Sequence, residues 1–195
     1  RFGYYDTFSD ILVKNGGCHE PSEERMFSEV LQYIPDNGTM IELGSYWAFY
    51  SIWFNKEVKN ARNYCIEPSK EGIKVGIDNC LLNNITGIDF TEGFIGKNDL
   101  HLSQFVQQKG IDFIDILHSD IQGSEDDMID DIVDLLKSKK IRYLFISTHS
   151  NELHAKCLRV LNDCEYRIIA KADFETETFC YDGIIVACHK DNLEI

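Results

Sequence analysis

Two histidines follow apolar, strand-like runs. His118 follows the run 111–117 and opens the segment His118, Ser119, Asp120, Ile121, Gln122, Gly123; His149 follows the run 141–146, within Ser147, Thr148, His149, Ser150, Asn151. Imidazole titrates near neutral pH, and a carboxylate beside it can orient the ring or take the proton itself. Either histidine with Asp120 as partner would therefore suit proton removal from a hydroxyl. His118, Asp120, His149 and His154 also have the residue types of a divalent-metal site drawn from two adjacent loops. Their spacing matches no specific metal motif, so base chemistry without metal is the favoured expectation.

A second group of candidates lies earlier, and its positioning elements are easier to read. Thr39 to Leu43 is a short apolar run broken only by Glu42, which suits a buried strand, and Gly44 ends it. From Ser45 to Val58 the apolar Ala48, Phe49, Ile52, Trp53 and Val58 recur at roughly helical spacing. Residues 64–66 form a second strand with Glu67 at its end; Pro68 closes it and Ser69 is a good N-cap for the next helix. Parallel strands joined by a helix bring both carboxyl ends to one sheet edge, so Glu42, Gly44 and Glu67 converge. An acid at the end of the second strand can accept hydrogen bonds from both hydroxyls of a ribose.

A dinucleotide pyrophosphate needs three small residues in a G-x-G-x-x-G turn, whereas here Gly44 is followed by Ser45, Tyr46 and Trp47. Those side chains crowd a pyrophosphate but leave room for a nucleoside with an amino-acid tail. S-adenosylmethionine is therefore favoured over NAD, against the plainer alternative of an ordinary βαβ turn. Gly93 and Phe94, after a third strand at 88–90, would stand beside these strand ends. Phe94 could flank an adenine ring or simply fill the core.

The remaining pattern alternates helix and strand. Residues 1–20 show no clear period and read as an irregular arm or lid, with one domain over 21–195. A helix at 21–34 opens with a cap and two acids around Ser22 to Arg25 and carries Met26, Phe27, Val30, Leu31 and Ile34 on one face. Further helices are expected from Ser69 to about Asn84, from a Ser124 cap to Lys140, and at 152–161; the last strands fall at 166–170 and 184–188, joined by an acidic loop with Tyr181 and Asp182. The expectation is a three-layer α-β-α Rossmann-like sandwich whose seven-stranded, mostly parallel sheet ends in an antiparallel strand.

The 195 residues include 19 basic and 33 acidic side chains, a net charge of −14, which repels phosphate backbones and anionic membranes. No apolar stretch approaches a membrane span. The seven cysteines are scattered and form no C-x-x-C pair, so neither a disulfide framework nor a zinc-thiolate site is indicated. A soluble, cytoplasmic protein without nucleic-acid or membrane partners is the expectation. The first residue is Arg1 rather than Met, as in a piece of a longer product.

The motif order over residues 38–188 resembles the class I S-adenosylmethionine-dependent methyltransferases and, within them, the FkbM family. The resemblance is carried by IELGSYWAFYS, CIEPS, DNCLLNN, HSDIQGSE and FISTHS. Glu42, Gly44, Ser45, Tyr50 and Ser51 match the family's first motif, with Ala48 in place of its second glycine, a change expected to narrow the pocket slightly. Glu67 and Pro68 match its "EP" pair, and Asp120, Gly123 and Glu125 its K-x-D-x-E-G-x-E pattern, with His118 and Gln122 at the departures. The resemblance implies a methyltransferase fold and S-adenosylmethionine held by Glu42, Gly44, Ser45, Tyr46, Trp47, Ser51, Glu67, Pro68, Gly93, Phe94 and Asp120. It implies O-methylation of a small hydroxylated acceptor such as a sugar, a glycan unit or a secondary metabolite, while the residue chemistry above supplies His118, Asp120 and His149 as candidate catalytic residues. A binding protein without turnover and a metal-dependent hydrolase are the alternatives.

Overall fold

The computed structural model describes residues 7–96, 99–173 and 182–191. Seven strands form one sheet: β1 (Thr39–Leu43), β2 (Arg62–Glu67), β3 (Asp89–Glu92), β4 (Ile114–Ser119), β5 (Ile141–Thr148), β6 (Tyr166–Ala172) and β7 (Gly183–His189). Their order across the sheet is β3-β2-β1-β4-β5-β7-β6, and β7 runs antiparallel to both of its neighbours while the other pairs are parallel. The chain winds outward from β1 to β3 and then returns to the other side of β1 with β4. The crevice between β1 and β4 is thus a topological switch point.

The period-two alternation of the strands divides the core. Ile41, Leu43, Ile66, Leu117, Ile146 and Ile185 face a layer built on α5 (Leu102–Gln108), α6 (Glu125–Asp131) and α8 (Asn151–Asp163). Met40, Ile116, Phe145 and Val186 face α2 (Pro21–Leu31) and α3 (Phe49–Glu57), which contribute Phe27, Val30, Tyr50 and Phe54. Glu42 and His118 alternate in step with Met40 and Ile116, and they are register partners across β1 and β4. They therefore project toward α2 and α3. A small third cluster of Ala48, Cys65 and Cys80 joins α3 to α4 (Lys70–Leu82).

Several boundaries differ from expectation for identifiable reasons. Residues 7–14 are not irregular but form α1 (Thr7–Lys14), and residues 1–6 lie outside the described residues. α2 is started by Pro21 rather than capped by Ser22, and Glu24 Oε1 accepts from the N–H groups of His19 and Glu20. The expected helix from Ser45 begins four residues later, because Tyr46 and Ala48 adopt positive φ values of 38° and 60°. The helix expected from a Ser124 cap has no side-chain cap bond, since Ser124 is not extended and Glu125 instead accepts from Gly123 N–H. That helix also breaks at the fully buried Ile132, after which α7 (Val133–Lys137) continues; its hydrogen bonds of 3.2 and 2.9 Å run through the break, so this is a local kink. α5 was not read from the sequence at all. Of the expected acidic loop after residue 170, residues 174–181, Cys180 and Tyr181 among them, lie outside the described residues, while Lys171 and Ala172 prolong β6 and Gly183 opens β7.

Among the described cysteines, Cys65, Cys80, Cys157 and Cys164 are free and buried, Cys188 is buried, and Cys18 is half-buried. No described helix is long and apolar enough to cross a membrane.

Candidate functional site

At the carboxyl ends of β1, β2 and β4 lies a cavity of about 360 Å³, within the size range of small-molecule sites. Its floor is a backbone junction. Gly44, at φ 73°, sits so close to β4 that a Cβ there would lie 1.8 Å from the carbonyl oxygen of Asp120. Gly44 N–H and Ser45 N–H both donate to Ile66 O, at 2.9 and 3.3 Å, and Asp120 N–H donates to Leu43 O at 3.0 Å. Only glycine combines that conformation with that approach.

Glu67 closes the same turn from the other side. Its Oε2 accepts from Tyr46 N–H and its Oε1 from Ser69 N–H, both at 2.9 Å, and Gly72 leaves room for it, since a Cβ there would be 3.1 Å from the carboxylate. The carboxylate lines the cavity and is fixed by two backbone donors, with lone pairs remaining for a ligand. Of the residues expected to hold a cofactor, Glu42, Gly44, Ser45, Tyr46, Trp47, Glu67, Pro68, Gly93, Phe94 and Asp120 all line this space. Phe94 is 49% exposed, which places it on the cavity wall and not in the core.

Ser51 is the exception. It is fully buried behind the wall, where both its N–H and its hydroxyl donate to Glu42 Oε2. Burial pushes the Glu42 carboxyl up, opposed by His118 and by these Ser51 bonds. Ala48 does not narrow the cavity either: its methyl is fully buried against Cys65 and Cys80, and its backbone keeps the left-handed conformation that a glycine would adopt.

The two histidines occupy different environments. β4 extends two residues beyond the expected run, so His118 lies inside the strand, 3% exposed, with Nε2 2.8 Å from Glu23 Oε1 and its ring 4.1 Å from that of Tyr50. Ser147 Oγ donates to the other Glu23 oxygen at 3.1 Å. Burial alone would lower the His118 pKa, but Glu23 outweighs it and the net direction is upward. Nδ1 of His118 is buried without a hydrogen-bond partner, and the residue lines the cavity. Nearby, Tyr50 donates its hydroxyl to Glu20 at 3.0 Å, and burial with the charge of Glu23 holds the Glu20 carboxyl well above the usual carboxylate range.

His149 is not on the cavity wall. Its Nδ1 is 2.8 Å from Glu125 Oε1, and its Nε2 is 3.3 Å from Asp120 Oδ1 and 3.4 Å from Asp182 Oδ1. Burial lowers its pKa, yet Asp120 and Glu125 more than reverse that and push it up to about 10. Burial raises Asp120 too, but His149 draws it below the ordinary value, while burial lifts Asp182 to about 6. The four expected metal-type residues therefore do not assemble. His118 pairs with Glu23, and His154 Nδ1 is 2.9 Å from Thr148 Oγ1, leaving Asp120 and His149 joined by Asp182.

Sequence reading missed His19, Glu20, Glu23 and Asp182. For Glu23 a signal was present: it stands four and seven residues before Phe27 and Val30, on the apolar stripe of α2, and an acid on a buried stripe requires a partner across the interface.

Neither a family model nor a curated protein matches the sequence. Solved structures do resemble it in fold. Precorrin-6y C5,15-methyltransferase from Geobacter metallireducens GS-15 superposes with a TM-score of 0.60 at 13% identity, covering 84% of this chain and 87% of that one. The ribosomal protein L11 methylase from Lactobacillus delbrueckii subsp. bulgaricus gives 0.55 at 14% identity, covering 89% and 81%. M. capricolum TrmK in complex with S-adenosyl-homocysteine gives 0.56 at 19% identity, covering 85% and 68%. The fold is that of the class I S-adenosylmethionine-dependent methyltransferases.

Proposed function

We propose that this chain is an S-adenosylmethionine-dependent methyltransferase of the FkbM type that methylates a hydroxyl of a small molecule, such as a sugar, a glycan unit or a secondary metabolite. The observation that carries the reading is that one cavity brings the glycine turn at Gly44 and the fixed carboxylate of Glu67 together with His118 and Asp120. Tyr46, Glu67, Pro68 and Phe94 would hold the nucleoside half of the donor, with the amino-acid tail near Gly44 and Ser45. When bound, the donor supplies an electrophilic methyl group on sulfur.

The chain's own residues would hold the acceptor in line and accept its proton. His118 is the base in this reading. Glu23 is paired with Nε2 at 2.8 Å, which leaves Nδ1 as the ring nitrogen to take the acceptor's proton. His149 is set aside because carboxylates engage both of its nitrogens. Asp120 positions the acceptor side of the cavity. Among the described residues, no lysine or arginine lines the space, while Glu20, Glu42, Glu67 and Asp120 do, which favours a neutral or cationic acceptor over nucleic acid.

Calorimetric titration with S-adenosylhomocysteine tests the donor half, and absence of binding overturns the proposal. A screen of hydroxylated sugars and small metabolites for labelled-methyl acceptance, repeated with His118→Gln, tests the acceptor half. Full turnover in that variant would remove His118 as the base.

A further inference from the structure

We propose that Asp120, His149 and Asp182 form a divalent-cation site at the edge of the cavity. The three side chains come from separate elements: the residue after β4, the residue after β5 and the residue before β7. One ligand atom from each lies within 4.8 Å of the other two.

The separations suit a coordination shell better than a set of hydrogen bonds. His149 Nε2 stands 3.3 and 3.4 Å from the two aspartate oxygens, and this buried nitrogen has no hydrogen bond of acceptable geometry. Ligands about 2.1 Å from one cation lie roughly 3.0 to 3.4 Å apart at octahedral or tetrahedral angles. The two separations from His149 are therefore already those of adjacent vertices.

The opposite side of the imidazole is prepared in the way metal-bound histidines are. Nδ1 faces Glu125 Oε1 at 2.8 Å, and that carboxylate is fully buried and also accepts from Gly123 N–H at 3.2 Å. A carboxylate holding Nδ1–H fixes the tautomer, which directs the Nε2 lone pair at Asp120 and Asp182 and raises its basicity as a ligand. Two carboxylate oxygens and one imidazole nitrogen suit Mn(II), Mg(II) or Zn(II), with the remaining positions open to water or an oxygen of a bound molecule.

Asp120 belongs to both this group and the cavity, so a cation here would adjoin the acceptor hydroxyl and stabilise it as its proton leaves. That role rests on the methyltransferase reading, whereas the binding site itself does not.

The test is titration of chelator-treated full chain with Mn(II), followed by the electron paramagnetic resonance signal of the free ion, with Zn(II) competition. One site per chain is expected. Asp182→Asn should weaken it at least tenfold, and Glu125→Gln about tenfold through the lost negative charge behind Nδ1. Circular dichroism melts confirm that each variant is folded, and an Asp182→Ala variant replaces Asp182→Asn if the latter is not. Absence of Mn(II) and Zn(II) binding below millimolar concentration, or binding unchanged in a folded Asp182 variant, overturns the site and leaves His149 as an imidazolium clasped by carboxylates. Cation binding without S-adenosylhomocysteine binding would support this site while removing the methyltransferase reading.

Discussion

A Cβ on Gly44 would lie 1.8 Å from the carbonyl oxygen of Asp120, so the turn after β1 and the segment after β4 meet backbone to backbone. This contact makes the cavity floor a single rigid junction. Gly44→Ala should therefore fail twice, by steric overlap and by a left-handed φ of 73°. The expected cost is roughly 3 kcal/mol or more in chemical denaturation. A variant with unchanged stability would mean that β1 and β4 are further apart than described.

Glu67 both closes the turn and faces the cavity. Glu67→Ala should weaken S-adenosylhomocysteine binding by about ten- to a hundredfold, the range for loss of hydrogen bonds to a charged group. Glu67→Gln should also weaken it, because one amide NH2 would confront the N–H of either Tyr46 or Ser69. Calorimetry that finds wild-type affinity in both variants would separate Glu67 from ligand binding.

Ser51 gives the opposite expectation. Ser51→Ala removes the hydroxyl that donates to the buried Glu42 and should lower stability by about 1 to 3 kcal/mol. Its affinity for S-adenosylhomocysteine should stay near wild type, since Ser51 does not line the cavity. A selective loss of affinity with normal stability would place it in the binding wall instead.

Glu20 sets a pH-dependent stability. Its folded-state carboxyl is raised above the ordinary value by burial and by Glu23, so the native state holds this proton more tightly than the unfolded chain. As pH rises from the unfolded pKa through the folded one, this carboxyl loses stability, and the penalty is complete above the folded value. Glu20→Gln keeps an acceptor for Tyr50 and carries no charge. It should melt higher than wild type near pH 7, with the gain vanishing below the unfolded pKa of about 4.3. A gain that instead grew in acid would contradict the assignment.

The sheet was legible because its evidence is local. Apolar runs such as Thr39–Leu43, ended by Gly44, and 141–146, ended by Ser147 and Thr148, announce strands, and the glycine after β1 announces the turn. That Gly44 and Glu67 line one cavity followed, since they lie at the ends of adjacent parallel strands. What was not legible depends on partners distant in sequence. His118 reads as a loop residue until Glu23, 95 positions earlier, is known to face it; their ion pair allows β4 to continue through a titratable side chain. Asp182 likewise gains meaning only where the antiparallel β7 returns beside β5. The left-handed Ala48 violates local propensity, and no pattern in a single chain marks where such strain is tolerated.

The buried free thiols supply a set of internal clocks. An alkylating reagent reacts with a thiolate that reaches solvent, so Cys65, whose pKa is raised well above the ordinary value by burial and by Glu42, must wait for the structure behind the turn to open. Cys157 on α8 and Cys80 on α4 report two other regions, and the half-buried Cys18 marks the segment just before the cavity residues His19 and Glu20. Labelling rates compared with and without a bound ligand would map which part of the molecule stiffens, without any introduced cysteine.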